Sequence, residues 1–229
     1  MIKRTLLITL LLLPLAMLAQ EKKMSGKKLN ILTLGDSNGT FPYSWPVQLQ
    51  QALPNAQVFN ISKSGRTIGF LNLNDSTLNA LLVIDENLRK AAAFTQNRPF
   101  DFVVLELGTN DAKAVFASRQ NEVPENLNRL INKIKHSPYP TINKARIIII
   151  APPPYGEKAL ATEKYANGDQ RVKAMNDSFK KIALQNNCLF VSGYRTPGLD
   201  INSMTADGLH LDATGSRRLI EPVVALMIK

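Results

Sequence analysis

The sequence holds one cysteine, two histidines and one tryptophan among 229 residues. A lone thiol, Cys188, excludes an internal disulfide framework. It lies in the apolar run Cys188-Leu189-Phe190-Val191, where a small buried hydrophobe is expected rather than a reactive thiol. So few histidines and cysteines form no clustered ligand set for a metal, and the residues call for no cofactor. The chain has no G-x-G-x-x-G after its first strand and no Gly-Lys-Ser/Thr phosphate loop, which argues against a nucleotide-binding domain. It has no internal repeat and no low-complexity linker. The formal charge of +10 forms no basic stripe interleaved with aromatics. That excess reads as solubility or loose attraction to anionic surfaces, not nucleic-acid recognition.

At 45% hydrophobic and 20% charged, the chain can bury a full core. Its N-terminus reads as a targeting segment. Lys3 and Arg4 form a positive start, Leu6 to Leu18 is almost unbroken apolar sequence, and Ala19 is a small residue suited to cleavage before Gln20. The run is too short for a comfortable membrane span. The expected organisation is a signal peptide over 1–19, a basic segment over 20–28 carrying Lys22, Lys23, Lys27 and Lys28, and one domain over 29–229. Export to a periplasmic or extracellular location follows, with no integral span after cleavage. An uncleaved N-terminal anchor is the alternative.

Within the domain, apolar runs alternate with helical patterns. Strands are expected at Leu29–Leu34, Gln57–Ile61, Phe102–Leu107, Arg146–Ile150 and Cys188–Val191. Helices are expected at Trp45–Leu53, Leu81–Phe94, Pro124–Lys135, Gln170–Gln185 and Ala213–Ile228. Strands that are apolar at every position are buried on both faces, as in a parallel sheet covered by helices. The pattern predicts a three-layer α/β/α flavodoxin-like sandwich with a five-stranded parallel sheet. In such a sheet, ligands bind beyond the carboxyl ends of the strands.

Four loops at those ends carry chemistry-bearing residues. The first reads Gly35-Asp36-Ser37-Asn38-Gly39 and offers a hydroxyl. The second contains Gly65, which lets the backbone approach a ligand and present its N–H. The third reads Gly108-Thr109-Asn110-Asp111, where Asn110 offers an amide donor and Asp111 is expected to cap the following segment. The last reads Asp207-Gly208-Leu209-His210. A neutral imidazole there can take a proton from a serine hydroxyl, with Asp207 orienting it. The other histidine, His136, falls at a polar helix end and reads as a solvated residue or a partner of the helix dipole. Each loop alone is an ordinary turn; together they supply nucleophile, base, orienter and two oxyanion donors.

At these residues the chain resembles the SGNH hydrolases, also called the GDSL esterase/lipase family. Gly35-Asp36-Ser37 matches the first block, with Asn38 where Leu is usual. Gly65 matches the second, Gly108-Thr109-Asn110-Asp111 the third, and Asp207-Gly208-Leu209-His210 the last. Gly-Thr-Asn-Asp-x-Lys at 108–113 and the Pro-Pro-Pro stretch at 152–154 are similar to the arylesterase/acyltransferase branch. The resemblance implies a flavodoxin-like fold and two-step acyl transfer. Ser37 would be the nucleophile, His210 the base, and Asp207 its orienter. Ser37, Gly65 and Asn110 would form the oxyanion hole.

The expected partner is a small-molecule or carbohydrate ester, with short acyl chains such as acetyl favoured. A lysophospholipase or thioesterase of the same fold and a non-catalytic binding domain are the alternatives. Trp45 and Tyr43 follow the nucleophile loop; they either stack on a sugar or pack the helix, and packing is the favoured reading. Phe70, Leu71 and Leu73 either line an acyl pocket or cover the core. Tyr155 to Asp169 reads as an exposed lid or wall beside the site.

Overall fold

The β-branched and leucine-rich runs form five parallel strands. The computed structural model describes residues 28–96 and 98–229. Strand β1 spans Asn30–Gly35, β2 Gln57–Asn60, β3 Phe102–Glu106, β4 Arg146–Ala151 and β5 Leu189–Ser192. The sheet order is β2-β1-β3-β4-β5. The helices are α1 Trp45–Ala52, α2 Ala80–Phe94, α3 Glu122–Lys135, α4 Glu157–Leu160, α5 Gly168–Gln185 and α6 Ala213–Met227. The expected signal peptide and most of the basic segment lie outside the described residues. Among those described, no helix is long and apolar enough to cross a membrane.

Successive residues of a strand face opposite sides, so each apolar strand feeds two cores. Leu32, Leu34, Val103, Leu105, Ile147 and Ile149 pack beneath α2, α3 and α5. Ile31, Phe102, Val104, Ile148 and Ile150 pack against Trp45 and Leu49 of α1 and Leu219, Ile220 and Val223 of α6. Each such side chain taken from water contributes about 1.5–3 kcal/mol. The central strands β1 and β3 are buried throughout. The edge strands β2 and β5 are only partly buried, because each has one neighbouring strand and less cover.

The expected elements all form, with ends displaced by one or two residues. Helix α3 starts at Glu122 rather than Pro124. Glu122 and Glu125 favour its positive N-terminus, and Pro124 is tolerated in the first turn, where its missing N–H has no partner to lose. His136 is the C-cap residue of α3, its ring Nδ1 2.9 Å from the Asn132 carbonyl. Cys188 is buried. Trp45 is completely buried against α6 and the sheet.

Parallel pairing sets the register that matters for function. Gly35 pairs with Glu106, so β1 and β3 end at the same level. The loops carrying Ser37 and Asn110 therefore leave the sheet side by side.

Candidate active site

Ser37 opens a single 3-10 turn, Ser37–Gly39, immediately beyond β1. Asp36 caps that turn: its Oδ1 accepts the Asn38 N–H at 3.0 Å. The tight turn lifts Ser37 off the strand axis and aims its hydroxyl at the last loop. There the Ser37 hydroxyl meets His210 Nε2 at 2.9 Å. On the far side of the ring, His210 Nδ1 lies 2.5 Å from Asp207 Oδ2. With the ring proton on Nδ1, Nε2 is the acceptor for the serine proton.

The Asp207 loop is built to hold that geometry. Asp207 Oδ1 accepts the Leu209 and His210 backbone N–H groups, both at 2.9 Å. Gly208 between them has φ +80°, a left-handed conformation suited to glycine. Burial acts to raise the Asp207 carboxyl, but the His210 backbone N–H, its ring and the Leu209 N–H outweigh it. The carboxyl therefore sits below its ordinary value and is ionised where a charged imidazole needs a counter-charge.

Asn38, a departure from the resemblance, has a structural task. Its Nδ2 donates to the Leu209 carbonyl at 3.2 Å, and its Oδ1 accepts the Leu211 N–H at 2.9 Å. One amide thus bonds the backbone on both sides of His210. No short-range signal in the sequence pointed to this, because the bonded residues are 171 and 173 positions away.

The third element is a set of N–H donors. Gly65 has φ +82°, and a Cβ there would meet Asn72 Nδ2 at 3.3 Å and Leu78 at 3.4 Å. The Ser37 and Gly65 N–H groups reach no backbone acceptor among the described residues. Asn110 Nδ2 donates to the Arg66 carbonyl at 3.1 Å, which fixes the amide and leaves its second hydrogen unspent. Asn72 Nδ2 holds the Gly65 carbonyl at 2.7 Å, and Lys113 Nζ donates to Asn72 Oδ1 at 3.2 Å. Lys113 thus steadies the Gly65 turn through Asn72. Burial, helped by the Lys164 charge, lowers its ammonium to about 8.

Beneath the site lie three fully buried acids. Burial raises Asp36 to about 6, against the Asn38 N–H, the Thr109 hydroxyl and the charges of His210 and Lys113. Burial raises Asp111 to about 7, with its backbone hydrogen bonds opposing. Glu106 is pushed well above the ordinary range by burial and then by the Asp36 charge. Asp111 does not cap the following segment, as its loop position suggested. Both of its oxygens accept the Ile68 N–H at 3.0 Å, so it ties the Gly108 loop to the chain beyond Gly65. The fully buried carboxylate faces inward, where backbone N–H groups, that of Ile68 foremost and those of Asp111 itself and Gly69, are the donors.

Three further expectations are resolved. Phe70 stacks on Phe116 in the core, centroids 4.6 Å apart, while Leu71 and Leu73 project into solvent at 50% and 82% exposure. Tyr155 to Asp169 is a wall, exposed along its middle as expected and anchored at both ends. Tyr155 is buried and its hydroxyl donates to the Thr109 carbonyl. The Gly156 N–H donates to Gly208 at 2.8 Å, and Gly168 packs flat on the Tyr155 ring. Trp45 and Tyr43 part company: Trp45 packs its helix as expected, whereas Tyr43 is 41% exposed and lies parallel to Phe41.

A hydroxyl, an imidazole and a carboxylate in series, beside unspent N–H donors at the carboxyl edge of a parallel sheet, can transfer an acyl group without a cofactor. The fold and this site define a carboxylic ester hydrolase. The chain belongs to the GDSL-like lipase/acylhydrolase family, whose model matches residues 32–218. Among solved structures it is similar to a carbohydrate acetylesterase family member from Sinorhizobium meliloti, with 27% identity, 87% of this chain and 99% of that chain covered, and a TM-score of 0.73. It has the fold of another carbohydrate acetylesterase of the same organism, at 21% identity, 87% and 98% coverage and a TM-score of 0.74. It also has the fold of the M. smegmatis aryl esterase, at 21% identity, 87% and 98% coverage and a TM-score of 0.73. No curated protein sequence matches the chain.

Proposed function

We propose that this enzyme hydrolyses short acyl esters through an acyl-enzyme on Ser37, with acetyl groups on carbohydrate as the preferred substrate class. The observation that carries the mechanism is the 2.9 Å contact between Ser37 and His210 Nε2, seated by Asp207. His210 takes the Ser37 proton as the hydroxyl oxygen attacks the ester carbonyl. The resulting oxyanion is met by the N–H groups of Ser37 and Gly65 and by the Asn110 amide. The C–O bond to the alcohol then breaks, and His210 delivers its proton to the departing oxygen. Water, deprotonated by the same ring, releases the acid and restores Ser37.

The 27% identical carbohydrate acetylesterase family member supports the substrate class. So does Phe70, which is committed to the core and unavailable to line a long acyl tunnel. The positively charged, then apolar start of the chain, ending in Ala19, supports action outside the cytoplasm after removal of the first 19 residues.

The test is a fluorophosphonate probe on the purified protein, followed by a panel of acetylated sugars and p-nitrophenyl esters of increasing chain length. Ser37 is labelled, Ser37→Ala is not, and activity falls steeply beyond short acyl groups. A folded but unlabelled wild-type protein refutes the acyl-enzyme and favours a binding domain. A preference for long chains moves the enzyme to the lysophospholipase or thioesterase type.

A further inference from the structure

Beyond the turn that carries Ser37, the chain runs Phe41-Pro42-Tyr43 before entering α1. The Phe41 and Tyr43 rings are parallel to within 3°, with centroids 5.4 Å apart. Phe41 also stands edge-on to His210, at 75° and 5.4 Å between centroids. The aromatic pair is therefore continuous with the catalytic imidazole. Its outer ring, Tyr43, is 41% exposed, although large aromatic rings are mostly covered elsewhere in this chain. The pair is also held in place. Pro42 fixes the backbone between the rings, the Ser44 N–H donates to the Phe41 carbonyl at 3.0 Å, and Gln48 Nε2 donates to the Tyr43 carbonyl at 3.4 Å. A surface already ordered before binding loses little freedom when a ligand settles on it.

We propose that Phe41 and Tyr43 form the subsite for the alcohol half of the ester, and that its occupant is a pyranose ring laid flat against the aromatic pair. This subsite presupposes the reaction proposed above. His210 must hand its proton to the leaving oxygen, so the body of the alcohol lies on the His210 side of the scissile bond. The flat surface beside His210 is this pair. The C–H face of a sugar ring is apolar and slightly positive, and it matches the negative face of an aromatic ring. The Tyr43 phenol gives the surface a polar end suited to the hydroxyls at a sugar's rim. A small acyclic alcohol would leave most of the surface uncovered.

The reaction separates this subsite from the rest of the machinery. The alcohol is present only until the acetyl-enzyme forms, and every acetate ester gives the same acetyl-enzyme. The subsite therefore acts on kcat/KM, which reports acylation, and acts differently on different alcohols. The experiment measures kcat/KM for an acetylated methyl glycoside and for ethyl acetate with the wild type, Tyr43→Ala, Tyr43→Phe and Phe41→Leu, each first checked for fluorophosphonate labelling of Ser37.

The wild type prefers the glycoside acetate. Tyr43→Ala lowers the glycoside-to-ethyl ratio about three- to tenfold, Tyr43→Phe keeps most of it, and Phe41→Leu lowers it again. Tyr43 does not touch His210, so its variants read the surface without disturbing the base. A ratio unchanged within twofold in a labelled Tyr43→Ala protein overturns the subsite and leaves the hydrolase standing. An equal fall for both esters does the same, as does a wild type with no preference. Loss of labelling in the wild type refutes the hydrolase reading itself.

Discussion

Asn38 grips His210 without touching its ring. Its amide bonds the carbonyl before the histidine and the N–H after it, at 3.2 and 2.9 Å. The residue next to Ser37 thereby ties the His210 backbone to the turn that carries Ser37, so the two loops are held to each other directly.

Replacing Asn38 by Leu leaves the Leu209 carbonyl and Leu211 N–H buried and unpaired, at a cost of about 1–3 kcal/mol each. The expected result is a lower melting temperature and a kcat reduced about tenfold, with KM little changed. Asn38→Asp keeps the acceptor for Leu211 and loses the donor to Leu209, so it should fall between. Thermal unfolding and steady-state kinetics on one acetate ester check both variants. An unaltered kcat in the Leu variant would show that the loops hold their spacing without the amide.

Asn110 is fixed by the Arg66 carbonyl with a hydrogen to spare. Asn110→Ala should lower kcat about a hundredfold and leave KM nearly unchanged, because the missing donor acts on charge that develops only in the transition state. A change confined to KM would assign the amide to ground-state binding instead.

The Asp207 carboxylate accepts from two backbone N–H groups and from the His210 ring. In Asp207→Asn the amide can still serve the backbone, but its NH2 turns toward Nδ1 and drives the ring proton to Nε2. The imidazole then cannot accept from Ser37. A fall in kcat of up to about ten-thousandfold is expected, with the fold retained. Circular dichroism and active-site labelling distinguish this from unfolding.

The buried acids give the protein an acid-leaning stability profile. Asp36 and Asp111 are raised to about 6 and about 7 when folded, against 3.8 as the ordinary value. Between those limits the folded state holds more protons than the unfolded chain, so stability falls as pH rises through the window and levels off above it. Glu106 acts in the same direction. Lowering the pH from 7.5 to 5.5 should stabilise the fold by about 3 kcal/mol, or roughly 6–12 °C in melting temperature. Calorimetry across this range checks it; a melting temperature that drops on acidification contradicts the assignment of these protons.

The architecture was largely legible in the sequence because its rules are local. Ile147 to Ile150 is short and β-branched throughout, the mark of a strand buried on both faces, and the turn residues after each strand mark the edge where ligands sit. Ser37, Gly65, Asn110 and His210 stood out for the same reason. What escaped depends on which surface ends up covered. Asp111 occupies a position where caps are common, yet it is buried and turns to Ile68. Tyr155 begins a glycine-bearing segment that resembles a lid, yet its ring is packed and its hydroxyl fastened. Trp45 and Tyr43 look alike in sequence, and only the docking of α6 over one of them separates a core residue from an exposed ring. The role of Asn38 depends on a neighbour that is close in space and remote along the chain.

Ser37 and His210 are 173 residues apart. A polypeptide emerging N-terminus first therefore cannot bring these two side chains together until the loop carrying His210 has docked. On the mechanism proposed above, a chain that ends before that loop is inert rather than weakened, and the appearance of turnover reports that the last loop has docked.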